Sequence, residues 1–243
     1  MSLRSLPPLL SRHPEIAGLA GASSAVVAVP EPARAFTVAG LANLSGRRPI
    51  VVAVPTTAEA ERLAHDLRAY LGGDEHDDEH GDGFGPVEVF PAWETLPFER
   101  VSPGVETMGR RLRVLWRLRD HGEDHLPRVV VAPIRALVQR LGPHVEEVEP
   151  IVVRPGDQVD PHDLVRRLVA AGYRREYQVE ARGEVAQRGS IVDVFPSTAD
   201  APVRIDLWGD EVDRLNRFSV SDQRSTGDVA EVALFPCREV LPT

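Results

Sequence analysis

Three side chains at every second position, Arg204, Asp206 and Trp208, are the residues of this sequence best suited to making contacts. They alternate with Val203, Ile205 and Leu207, the period-two pattern of a strand with one buried face. The apolar three face a core. The cation, the anion and the large aromatic then stand in a row on the other side, at steps of about 7 Å. That chemistry is recognition. A guanidinium holds a carboxylate through two parallel hydrogen bonds, and Trp and Arg dominate binding hot spots. The competing explanation is ordinary cross-strand decoration, an Arg–carboxylate pair with a Trp lid. Arg188, in the run QRGS, is a further candidate on a neighbouring strand. Gly189 beside it admits a bulge, so parity leaves its facing open.

Other chemistries are poorly served. All 28 basic residues are Arg, so a phosphate-loop lysine, a Schiff base and a lysine general base are excluded. The turn AVPEPARA at 28–35 follows a Val-rich run and precedes a helical one, the order of a nucleotide site. Yet Pro30 and Pro32 remove two amide donors, Glu31 puts a negative charge where phosphate would lie, and Arg34 and Ala35 stand in the Lys-Thr positions. The site reads as degenerate, with no cofactor. An acidic loop at 72–85 carries His76 and His80 among Asp74, Asp77, Asp78 and Asp82; it reads as a solvated charge run before a metal site. Arg110, Arg111, Arg113 and Arg117 suit phosphates, but their spacing with Leu112, Leu115 and Trp116 fits better a helix with its arginines in solvent. No Ser-His-Asp, CxxC or HExxH arrangement occurs.

The net charge of −9 gives no broad attraction to nucleic acid. The single cysteine, Cys237, excludes an internal disulfide framework and fits a reducing cytoplasm. No apolar run reaches the roughly 18 residues that would span a bilayer. A cytoplasmic protein away from membranes is therefore expected.

These residues must be positioned by elements of two kinds. Strands are expected at 25–29, 50–54, 87–90 and 129–132, alternating with helices at 33–44, from Thr56 or Thr57, at 108–118 and at 134–141. That order implies a layered α/β domain with a mainly parallel sheet. After 143–150 the pattern changes: one helix at 164–171 started by Asp160 or Asp163, then strands at 178–181, 185–187, 190–195, 203–208 and 211–218. Gly209-Asp210 fits a two-residue hairpin turn between the last two. This second region is expected to be α+β, and the run 232–235 to return to the first sheet. The end at Thr243, without a closing element, points to a piece of something longer.

Three segments, FPAWETLPFERVSP, GEVAQRGSIVDVFP and RIDLWGDEVDRLNRFSVSDQRS, together resemble the N-terminal region of bacterial transcription-repair coupling factors, and more loosely the excision repair protein UvrB. The resemblance covers about residues 24–240. It implies a UvrB-like, helicase-like α/β domain, 1–147 and 233–243, with a smaller α+β domain, 148–232, inserted in it. The inserted domain would bind UvrA, with Arg188, Arg204 and Trp208 in contact and Asp206 as a weaker member. Since all lie outside the expected core, alanine at Arg188, Arg204 or Trp208 should leave the melting temperature unchanged. The family's motor domains use ATP and magnesium on duplex DNA to displace stalled RNA polymerase. This region would be its non-catalytic UvrA-recruiting module, its face open to masking by another domain. The alternative is a nucleotide-dependent repair enzyme of UvrB type. The ruined turn and the lack of room between Val87 and Arg110 for UvrB's tyrosine-rich hairpin favour the coupling factor.

Overall fold

A computed structural model describes residues 3–72, 84–95, 99, 101–119 and 125–239, so the acidic loop with His76 and His80 lies outside the described residues. In chain order the main elements are α1 (Pro14–Gly21), α2 (Arg34–Leu44), β1 (Ile50–Val54), α3 (Thr57–Leu71), β2 (Val87–Val89), α4 (Val105–Arg117), β3 (Val129–Pro133) and α5 (Ile134–Val138). There follow β4 (Ile151–Val153), α6 (Pro161–Ala170), β5 (Arg174–Arg175), β6 (Glu184–Arg188), β7 (Ile191–Val194), β8 (Val203–Trp208), β9 (Glu211–Phe218), β10 (Ser225–Asp228) and β11 (Val232–Leu234). They divide into two compact units. The described residues of the first are 3–72, 84–92, 117–119 and 125–139; those of the second are 93–95, 99, 101–116 and 140–239.

In the first unit β1, β3 and β2 form a parallel sheet in that order, with Val129 opposite both Ile50 and Val87. α2 and α3 cover it with small residues, Ala35, Ala39, Ala42, Ala60 and Ala64, joined by Leu67 against Val87, Val89, Val129 and Val131. Thr56 starts α3: its hydroxyl accepts the Glu59 amide at 3.2 Å and donates back to the Glu59 carboxylate at 3.2 Å. Residues 25–29 are not a strand. Val26 and Val27 are exposed and pair with no strand among the described residues; β-propensity without a partner does not make a sheet. The turn after them is a short helical turn, Glu31–Ala33, whose Ala33 amide is taken by the Pro30 carbonyl at 2.9 Å.

The arginines of α4 overturn the expectation of a solvated row. Arg111 and Arg117 are fully buried. Arg117 meets Glu88 at 2.7 Å and donates to the carbonyls of Gly85, at 2.9 Å, and His125, at 2.7 Å. Arg111 is ion-paired with Glu239 and lies 5.3 Å over the Trp93 ring. Buried guanidinium groups survive because carboxylates and carbonyls replace water around them.

The second unit overturns the expectation of a mainly parallel architecture. Its sheet runs β10-β9-β8-β7-β6-β5, antiparallel throughout except for the β5–β6 pair. The cause is local: β6–β7 and β8–β9 are joined by two-residue turns, which reverse the chain, whereas parallel neighbours need long crossovers. Gly189 at φ 61° and Gly209 at φ 64° occupy the first turn position, as a type II′ turn requires. Gly189 thus closes a hairpin and makes no bulge; Arg188 is in register with Ile191.

Two further expectations fail here. Residues 178–181 form no strand, because the Glu180 and Ala181 amides bind the Glu184 carboxylate at 2.9 Å each instead of a ladder. Val232–Leu234 does not join the first sheet; it pairs antiparallel with Ile151–Val153. Asp160 is the residue that starts α6, accepting the amides of His162 and Asp163 at 2.7 and 2.9 Å. Leu164, Val165 and Leu168 of that helix pack on Val185, Val192, Val194, Val203, Ile205, Leu207, Val212 and Leu215, the β6–β9 part of one face of the sheet.

Candidate protein-docking face

Residues opposite one another in an antiparallel ladder point to the same side. One rung joins Ala186, Asp193, Arg204 and Asn216. The next joins Arg188, Ile191, Asp206 and Arg214. Since Val192, Val203, Ile205 and Leu207 occupy the core side, both rungs face away from it. The register therefore brings Arg188, Arg204 and Asp206 to one face and settles what parity left open. Trp208 follows Asp206 on the same side. It lies beyond the start of β7, beside the Gly189–Ser190 turn, where the Leu207 amide binds the Ser190 carbonyl at 3.0 Å. Paired with Glu211 of β9 on one side and with no β7 residue on the other, Trp208 is 85% exposed.

Asp193 organises the face. Arg204 grips its carboxylate with two bonds, Nε to Oδ1 at 2.7 Å and Nη2 to Oδ2 at 2.9 Å. Arg188 Nη2 reaches Oδ2 at 2.8 Å. The Asp193 side chain is 1% exposed, against 18% for Arg204 and 41% for Arg188. The pairing with Asp193, opposed by burial, holds Arg204 protonated more firmly than usual. Its guanidinium also lies 4.8 Å over the Phe218 ring and donates to the Gln223 carbonyl at 3.4 Å. Phe218 belongs to a small apolar cluster with Val179, Ala186 and Phe195. Asp206 accepts from Asn216 Nδ2 at 3.4 Å.

Two cations on one carboxylate leave one positive charge over, which Asp206 on the same face offsets. Arg188 binds Asp193 through one nitrogen and is 41% exposed, whereas Arg204 is anchored on three sides. The expectation that Arg204 can be truncated without cost to the fold therefore does not hold: its loss strips a bidentate partner from a buried charge. Asp193 escaped the sequence reading, although a signal was there. Flanked by Val192 and Val194, it has the parity of the polar side. Phe218 and Gln223 carried no such signal.

Residues 151–239 match the family described as the UvrB interaction domain. The six-stranded sheet and its polar face lie wholly within that match, which gives the class of this domain. The chain itself is homologous to bacterial transcription-repair-coupling factors. It is 39% identical over 217 residues to that of Mycobacterium tuberculosis (strain CDC 1551 / Oshkosh), across 87% of this chain and 16% of that protein. The factor of Bacillus subtilis (strain 168) is 32% identical over 227 residues, 93% of this chain and 17% of the relative. That of Myxococcus xanthus is 35% identical over 207 residues, 84% and 16%. The chain thus spans about a sixth of the length of the curated relatives it matches. Among the described residues, no helix is long and apolar enough to cross a membrane.

Proposed function

We propose that this chain is the non-catalytic UvrA-recruiting module of a transcription-repair coupling factor, and that UvrA docks on the polar face of the six-stranded sheet. One observation carries the reading: the register places Arg188, Arg204, Asp206 and the exposed Trp208 on one side of a domain of the UvrB interaction family. Trp208 supplies apolar area, Arg188 supplies outward donors, and the Asp193 carboxylate ties Arg188 to the sheet. In the whole protein this recruitment would be joined to the motor domains that act on duplex DNA and stalled RNA polymerase with ATP and magnesium. This region itself would need no cofactor. Its degenerate turn, with Pro30, Glu31 and Pro32 where a phosphate loop would lie, supports that.

The test is a titration of purified UvrA with this chain and with its Arg188→Ala and Trp208→Ala variants. The parent should bind, and each variant should bind at least about tenfold more weakly, as hot-spot truncations of roughly 2 kcal/mol do. Parental affinity in both variants would move the docking site elsewhere.

A further inference from the structure

We infer that Asp193 is the positioning residue of this face: it touches no partner, and it fixes the two arginines that do. The inference rests on the docking reading above. A single carboxylate receives three guanidinium bonds, at 2.7, 2.8 and 2.9 Å, from strands on both sides of β7. β6 brings Arg188 and β8 brings Arg204, and Asp193 lies between them.

A role in stability alone is a weak account of this residue. Burying a carboxylate is costly, and apolar replacements of buried ion clusters are often neutral or stabilising. The site is suited to one: Ala186 and Phe218 are already part of an apolar cluster on this side of the sheet. Geometry gives the stronger account. A free arginine samples many rotamers and loses that freedom on binding. Here the Arg204 plane is set by a bidentate grip, and Arg188 is tied by one nitrogen while its side chain stays 41% exposed. Both cations are thus ordered before a partner arrives, which lowers the entropic cost of docking. No other carboxylate hydrogen-bonds both arginines among the described residues; Asp206 binds Asn216 instead.

Two measurements test this. In the free chain, nitrogen NMR of the guanidinium groups should show hindered rotation about Nε–Cζ and slow hydrogen exchange for both Arg188 and Arg204. Free rotation of both would overturn the inference without any variant. The second measurement is a double-mutant cycle read by UvrA titration, with circular dichroism on each chain. Asp193→Asn should weaken binding about tenfold alone, and less in the Arg188→Ala background, because one of the two arginines it positions is gone and only the part acting through Arg204 remains. A purely structural residue would give losses that add. If Arg188→Ala and Trp208→Ala lose affinity while folded Asp193→Asn binds like the parent, the docking reading stands and the positioning role falls. If neither of the first two loses affinity, both fall. Should Asp193→Asn fail to fold, the NMR result on the parent decides.

Discussion

Arg188, Arg204 and Trp208 share a face but differ in how the fold depends on them. Arg204→Ala should destabilise by about 3 kcal/mol, since it takes two bonds from a buried carboxylate and leaves only Arg188. Arg188→Ala should cost less, about 1 kcal/mol, because its own side chain is 41% exposed, it gives Asp193 a single bond, and the bidentate grip of Arg204 remains. Trp208→Ala, removing an exposed ring, should be neutral. Urea midpoints of the three variants check the ranking, and equal midpoints would refute it. A second prediction concerns Cys237. Burial pushes its thiol up to about 12, although the Tyr173 hydroxyl and Arg238 favour the thiolate. Burial likewise raises the buried Tyr173 hydroxyl, which donates to the Phe235 carbonyl at 2.9 Å. In the unfolded chain the thiol ionises near 9.0, so the folded state holds the proton more tightly. Stability is therefore unaffected below about pH 9 and falls as pH rises from there towards 12. Comparing the parent with Cys237→Ala between pH 7 and pH 10.5 should show the parent losing more stability. Alkylation of the native thiol at pH 8.5 should be far slower than in denaturant.

At the scale of elements, the β8–β9 hairpin is the most sensitive point. Gly209 holds φ 64° beside Trp208, and the Asp210 carbonyl accepts the Val159 amide at 2.6 Å. Gly209→Val should destabilise by roughly 1–2 kcal/mol, because a β-branched residue clashes with its own backbone there. It should also weaken UvrA binding, while Gly209→Asn should be milder on both counts. Thermal melts and the same titration measure this. The hairpin was also the most legible part of the sequence: alternation and a Gly-Asp pair gave both strands, Val203–Trp208 and Glu211–Phe218, with their observed bounds. The polar side of β8 was legible for the same reason. What stayed hidden depended on partners distant in sequence. The Val-rich run at 25–29 has strand composition but no strand partner among the described residues, and 232–235 found β4 where the first sheet was expected. Arg111 looked like a solvent-facing cation until Glu239, 128 positions on, was known to meet it. Asp193 could be placed on the right side by parity, but not under two arginines, since that needs the register of three strands at once.

For the whole molecule, the expected behaviour is that of a binding module. Millimolar ATP should leave its melting temperature unchanged, whereas a ligand at 100 times its dissociation constant adds about 2.7 kcal/mol. An upward shift would favour the nucleotide-dependent alternative. With a net charge of −9, the chain should show no tight, salt-sensitive affinity for duplex DNA in a gel shift at physiological salt. Both faces of the sheet are written into the same few residues. β8 gives Val203, Ile205 and Leu207 to one side and Arg204, Asp206 and Trp208 to the other. Its length can therefore change only in steps of two. Deleting one residue within it would send apolar side chains outward and charges inward over the rest of the strand, so the fold and the recognition surface would be lost in a single event. An insertion beside Asp200, the exposed point of the connection before β8, carries no such parity and should leave both intact.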